Sequence, residues 1–299
     1  MNDASNSKPM GQLGLQRLRR LPLNATILAP LLALIILFIL SSLASEYFFD
    51  ARNIANVLRQ VSYTGIIAIG MTFVIIAGGI DLSVGSMVAL VGVLLLYVVN
   101  AIADPIQGVL LGMLAALVAG SLFGLFNGLL VTRGRMAAFV VTLASMSIFR
   151  SLALYLTDAG EVTTPNPLFS EIGGGYVLGL PIPVWTFFGL AAVAHVLLFH
   201  TPFGRHVCAV GANPQVARYA GIRVERVVLS TFVIAGICVG LSAIMLSSRL
   251  NSVSPSDAGY FYELDAIAAV VIGGTALSGG RGSVWGTVIG ALILGIINN

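Results

Sequence analysis

Charge is scarce in this chain of 299 residues: Asp, Glu, Lys and Arg make up 9% of it, against about 25% in soluble domains. That scarcity excludes a water-facing globule. Lysine is nearly missing, with Lys8 the single example. A Walker A loop needs a Gly-Lys pair to hold phosphates, so any ATP this protein depends on is bound by another subunit. Cysteine is limited to Cys208 and Cys238, one in an expected cytoplasmic loop and one in an expected membrane helix, so no disulfide is predicted. The sequence has no HExxH, no paired-cysteine zinc spacing and no GxSxG elbow. His195, His200 and His206 have no cysteine or carboxylate cluster beside them. No metal, cofactor or catalytic residue is therefore expected. The net charge of +3 is scattered over short loops, which argues against a nucleic-acid surface.

Apolar residues are abundant instead. They form 58% of the chain, and the mean hydropathy is +0.99, which defines a polytopic, all-α membrane protein. Runs near the length needed to cross about 30 Å of hydrocarbon predict nine helices, over 24–45, 61–79, 84–100, 106–131, 137–157, 182–200, 227–247, 263–279 and 284–297. Residues 1–299 read as one membrane domain with a cytoplasmic tail at 1–23. The first run is too long for a signal-peptide core and reads as an anchor. With the N-terminus inside, Lys8, Arg17, Arg19, Arg20, Arg133, Arg135, Arg205, Arg218, Arg223, Arg226 and Arg281 fall on the cytoplasmic side. Outside lie Arg52, Arg59 and Arg249, with Arg150 inside a helix. This positive-inside bias supports the count and the orientation.

Two connecting segments stand out. The external stretch 158–183 carries Asp158, Glu161 and Glu171 and no basic residue; it reads either as a docking surface or as a solvated connector. The cytoplasmic stretch 201–226 is basic and holds a short polar helix. There Asn213 suits the N-cap, Pro214 the first helical position and Gly221 a left-handed stop. Such a rod is either an ordinary capped loop helix or a surface built to touch a partner.

Glycines recur every four residues at Gly120, Gly124 and Gly128 and at Gly282, Gly286 and Gly290, and Gly236 pairs with Gly240. These stripes predict close helix packing. A short echo at an offset of 200 residues relates Ile67-Ala68, Gly79 and Ser83-Val84 to Ile267-Ala268, Gly279 and Ser283-Val284. Intramembrane charge is rare and each instance needs a reading. Asp81 breaks two apolar runs; it or Ser83 caps the next helix, or contacts substrate or a gate. Arg150 either snorkels or lines a pathway. Glu263 and Asp265 open a helix, where its dipole favours them.

The run Gly78-Gly79-Ile80-Asp81-Leu82-Ser83-Val84-Gly85 resembles the hallmark of the ribose/xylose/arabinose family of ABC-importer permeases. So do Thr201-Pro202-Phe203-Gly204-Arg205, the Gly211-Ala212-Asn213 helix with Ala220-Gly221-Ile222, and the segment from Tyr262-Glu263-Leu264-Asp265 to Gly273-Gly274-Thr275. The resemblance covers the chain from about residue 50. It implies a ten-helix, vitamin B12 importer-like permease fold and a dimeric pore, commonly of two copies, in the bacterial inner membrane. It also implies a cytoplasmic ATPase and a periplasmic sugar-binding protein as partners. The short helix then becomes the ATPase-coupling element, with Gly211, Asn213, Pro214, Ala217, Arg218, Gly221 and Ile222 as its residues. Asp81, Ser83 and Arg150 become pathway or gating candidates. Members of the family continue by about one further membrane helix, so the chain is expected to lack its last helix and to leave the Gly282, Gly286 and Gly290 face without a partner.

The expected function is that of a permease subunit for a monosaccharide, ribose or a related pentose, working by alternating access powered by a separate ATPase. An ion-coupled secondary transporter of small polar solutes is the alternative, and Asp81 is its one candidate for an ion site. A membrane-embedded enzyme lacks a nucleophile or metal motif.

Overall fold

The computed structural model describes residues 23–299. The tail at 1–23, with Lys8, Arg17, Arg19 and Arg20, lies outside the described residues up to residue 22. Twelve helices follow: α1 (Leu23–Ala44), α2 (Ala51–Ile76), α3 (Val84–Ala101), α4 (Pro105–Thr132), α5 (Ala138–Leu156), α6 (Pro167–Gly174), α7 (Ile182–Phe199), α8 (Pro202–Ala212), α9 (Pro214–Tyr219), α10 (Val224–Leu250), α11 (Tyr262–Ile272) and α12 (Val284–Ile297). Four two-residue strands make two small ladders. β1 (Val162–Thr163) pairs antiparallel with β4 (Ser252–Val253), and β2 (Tyr176–Val177) with β3 (Leu180–Pro181).

Four helices begin alike, with a polar cap followed by proline: Asp104-Pro105, Asn166-Pro167, Thr201-Pro202 and Asn213-Pro214. Each cap accepts a first-turn amide hydrogen bond, and proline gives up only an N–H that would have no partner there.

Among the described residues, α1, α2, α3, α4, α5, α7 and α10 are long and apolar enough to cross a membrane. The last two expected spans come out shorter. The 263–279 run is helical only over the 11 residues of α11, and α12 has 14, about 16 and 21 Å at 1.5 Å per residue. Two other spans run past their expected ends. α2 starts at Ala51 rather than 61 because Asp50 accepts the Arg52 amide at 2.7 Å. Arg59 therefore stands inside a helix, 7% exposed, with its guanidinium 5.1 Å from the Tyr176 ring centroid. α10 likewise takes in Glu225, Arg226 and Arg249.

The core is built on α2 and α3, whose facing residues from Val61 to Leu96 are almost wholly buried. α4 and α10 pack antiparallel through glycine. A Cβ at Gly120 would overlap the Gly236 carbonyl, and one at Gly124 the Phe232 carbonyl. The third stripe also has a partner within the chain: Gly286 and Gly290 pack on the backbone of Gly273 and Ala269 in and after α11. This overturns the expectation of an unpartnered face.

The internal echo is a repeat of helix-breaking geometry. α2 ends at Ala77 and Gly78 (φ +88), with the Gly79 N–H donating to Val74 O at 2.9 Å. α11 ends at Gly273 and Gly274 (φ +87), with the Thr275 N–H donating to Val270 O at 3.2 Å. Both are left-handed glycine stops of the Schellman type. The next helices restart after Ser83 and Ser283. The second connection, 273–283, is longer than the first, 77–83, and contains a turn at Gly279 and Gly280, both near φ +80.

Candidate functional site

The expected polar helix forms as α9. Asn213 Oδ1 accepts from the Gln215 and Val216 amides at 3.0 and 3.1 Å, and Pro214 takes the first position. Gly221 stops it at φ +81, and the Ile222 N–H donates back to Ala217 O at 3.0 Å. Ala217 is buried against the body of the protein, whereas Val216 and Tyr219 are 60% and 91% exposed. Arg218 pairs with Glu225 on the surface, a contact of little energetic weight in water. α9 is thus a rod resting on one buried alanine and presenting the rest of its surface outward.

Sequence reasoning missed that α9 is preceded by a second helix. Within 201–226, α8 runs from Pro202 to Ala212, with the Thr201 hydroxyl accepting from the Gly204 amide at 3.4 Å. The Thr-Pro pair was the signal. Gly204, Val207 and Val210 turn inward.

At the end of α8 three backbone segments meet with no side chain between them. Gly211 lies so close to α2 that a Cβ there would overlap Ile76 O and stand 2.6 Å from Gly280 N. The Gly280 N–H itself donates to Ile76 O at 2.8 Å. Gly279 packs on Gly211 O, and Gly280 on Ala212. The capped rod is therefore joined through Gly211 to the ends of both helix breaks.

The first break holds a buried polar chain. Asp81 is fully buried; its Oδ1 accepts from the Ser83 amide at 2.9 Å and from the Ser83 hydroxyl at 2.6 Å. Asn127 of α4 donates to Ser83 Oγ at 2.8 Å and accepts from Ser145 of α5 at 2.6 Å. Thr142 donates to Ile80 O at 3.2 Å. Ser83 occupies the N-cap position of α3, but its side chain caps no helix amide. The expected capping role is thus corrected: Asp81 organises the turn before the helix, and Asn127 and Ser145 were not anticipated. They sit on different elements, so no local spacing reveals them.

Arg150 does not snorkel. Its Nη1 donates to Pro255 O at 2.6 Å and Ala258 O at 2.9 Å, holding the segment between α10 and α11. Glu263 and Asp265 do lie in the first turn of α11. Cys208 and Cys238 are both free thiols.

Seven helices long and apolar enough to cross a membrane among the described residues, glycine-stopped breaks at Gly78 and Gly274, and a capped surface rod tied to those breaks define a class: a polytopic membrane protein. The chain belongs to the family described as branched-chain amino acid transport system / permease component, which matches residues 53–299. It is 47% identical to the ribose import permease protein of Bacillus subtilis, over 91% of this chain and 84% of that protein. It is 44% identical to the ribose import permease protein of Haemophilus influenzae, over 90% and 83%. To the D-allose transport system permease protein of Escherichia coli it is 38% identical, over 89% and 80%. No solved structure matches the chain.

Proposed function

We propose that this chain is the permease subunit of an ATP-binding-cassette importer for ribose or a related pentose, a multi-pass protein of the bacterial plasma (inner) membrane. The similarity to ribose import permeases over nine-tenths of the chain carries this reading. Its partners are a cytoplasmic ATPase, a periplasmic sugar-binding protein, a second permease copy across the pore and the surrounding lipid. The nine apolar segments form one domain of the vitamin B12 importer type, with α11 and α12 as its two short members.

In this reading α9 rests on the ATPase, and Gly211, Asn213, Pro214, Ala217, Arg218, Gly221 and Ile222 form the coupling element. The junction of Gly211, Ile76 and Gly280 passes its displacement to the two helix breaks. Asp81, Ser83 and Arg150 shape the pathway from behind, by holding the first break and the 251–261 segment. No covalent step is needed, so these groups orient backbone rather than react.

The test is reconstitution of the chain with its ATPase and binding protein in proteoliposomes. Ribose uptake that requires ATP and the binding protein is the expected result. Uptake that persists without ATP and follows an ion gradient instead favours the ion-coupled carrier. For orientation, cysteines at the exposed positions Leu178 and Tyr219 label from the outside and from the cytoplasm, respectively.

A further inference from the structure

Between α10 and α11 the chain carries an exposed mixture of charge and aromatic surface that packing does not explain. Gly259 (φ +69) presses its backbone onto that of Gly85, seating the segment on the first turn of α3. Arg150 holds the same segment through the carbonyls of Pro255 and Ala258. Asp257, Tyr260 and Glu263 all lie close enough to act on the Arg150 charge. Tyr260 and Phe261 follow, 61% and 52% exposed, with ring centroids 4.1 Å apart. Phe261 sits at φ +62, a left-handed conformation that is costly for a bulky side chain.

Lipid accommodates two aromatic rings but not the carboxylates and guanidinium beside them. Ionisable groups among membrane helices face a protein interior or a water-filled path. Asp257 is exposed, and its Oδ2 accepts from the Ser254 and Ser256 hydroxyls at 2.7 and 3.1 Å, which aims the carboxylate. Next to it is a cleft of about 160 Å³ that Asp257, Glu161 and Ser252 border together with the apolar Leu246, Leu250 and Val253; Tyr260, Phe261 and Glu263 stand outside its lining. That is below the roughly 300 Å³ at which pockets for drug-sized ligands begin, so the cleft adds room beside the Asp257 carboxylate for no more than part of a small molecule.

We propose that Asp257, Tyr260, Phe261 and Glu263 form a monosaccharide-contacting subsite at the outer mouth of the pathway, with Arg150 as its positioning residue. The apolar C–H face of the sugar lies on the Tyr260–Phe261 pair, and neighbouring hydroxyls donate to the Asp257 and Glu263 carboxylates. This assignment rests on the sugar-importer reading above. Contact is weak and open to water, as suits a site that receives a sugar and passes it on.

Phe261→Gly suits the test, because glycine adopts φ +62 without strain; the variant loses the ring while the backbone gains freedom from steric cost. The chain in lipid nanodiscs is titrated with D-ribose by saturation-transfer NMR, beside Phe261→Gly, Tyr260→Ala and Tyr260→Phe. Wild type and Tyr260→Phe are expected to saturate the sugar ring protons. Phe261→Gly and Tyr260→Ala bind about tenfold more weakly, with a melting temperature for Phe261→Gly at or above wild type. Equal saturation in all four, or none in wild type, overturns the subsite. ATP-driven ribose uptake by wild type, measured in parallel, separates the two claims. Uptake with unchanged saturation across variants sinks the subsite alone, whereas no ATP-driven uptake sinks the importer reading.

Discussion

The Gly280 N–H donates to the carbonyl of Ile76 at 2.8 Å, so the second helix break caps the helix that precedes the first. Carbonyls at a helix end have no partner within the helix, and here the partner comes from the far end of the sequence. Gly211 lies against this bond. Any displacement of α8 therefore acts on both breaks at once, through backbone alone.

Gly211→Ala places a methyl group into Ile76 O and Gly280 N. The neighbours are backbone and cannot turn aside, so we expect a loss of about 1–3 kcal/mol in stability. ATP hydrolysis in the assembled transporter should lose its link to uptake. Gly189→Ala is the control, since nothing lies within 4 Å of its Cβ position. Melting curves and the ratio of sugar moved to ATP consumed check both; equal ratios in the two variants would remove the junction from the coupling route.

At Gly221 the strain is of another kind. No atom lies within 4 Å of its Cβ position, but φ is +81. Gly221→Val thus costs about 1–2 kcal/mol through backbone conformation alone, while Gly221→Asn is tolerated because asparagine visits the left-handed region. Valine is expected to uncouple transport and asparagine to preserve it. Uptake rates at matched expression decide, and identical rates would detach the stop from the function of the rod.

Asp81→Asn keeps an oxygen to accept from the Ser83 amide and hydroxyl. Asp81→Leu leaves both donors without a partner inside the protein, at about 1–3 kcal/mol each. Thermal stability and uptake should both fall much further for leucine. If asparagine abolishes uptake while the protein melts like wild type, the charge of Asp81 is itself required.

Burial raises the Cys208 thiol above its ordinary range. Because the thiolate is the reactive form, alkylation of the folded protein should be slow at neutral pH and rise later with pH than in the unfolded chain. The unfolded chain gives up this proton first, so the stability contribution is complete below the unfolded pKa. It is lost as pH rises through the folded one. Rates of iodoacetamide labelling in native and denaturing buffer measure this; matching pH profiles would show that α8 does not shield the thiol.

Much of this fold can be read from hydropathy because lipid imposes composition over whole spans. The ends are harder. Residues 51–60 include Arg52 and Arg59, which hydropathy scores as loop, yet the Asp50 cap and the Tyr176 ring hold them in a helix. The 263–279 run is apolar from Ala266 to Ile272, but a glycine stop at Gly273 and Gly274 ends the helix early. Local chemistry predicted α9, because Asn-Pro and a following glycine are a complete start and stop. The Asp81 chain was only half visible: Asp81 and Ser83 are neighbours in sequence, whereas Asn127 and Ser145 reach them only after α4 and α5 have packed.

The β1–β4 ladder has a consequence for movement. Val162 faces Val253 and Thr163 faces Ser252, the Thr164 amide donates to Asn251 O at 2.9 Å, and Asn100 donates to Thr163 O at 2.8 Å. These bonds clasp the ends of α3, α5 and α10 into one block. Separating α5 from α10 at that end means breaking backbone hydrogen bonds beside buried Val253, and separating α3 from α5 means breaking the Asn100 side-chain bond. In the transport cycle proposed above, rearrangement is then expected to be hinged: this end travels rigidly, and the swing falls to the opposite end, where glycine joints take the place of a ladder.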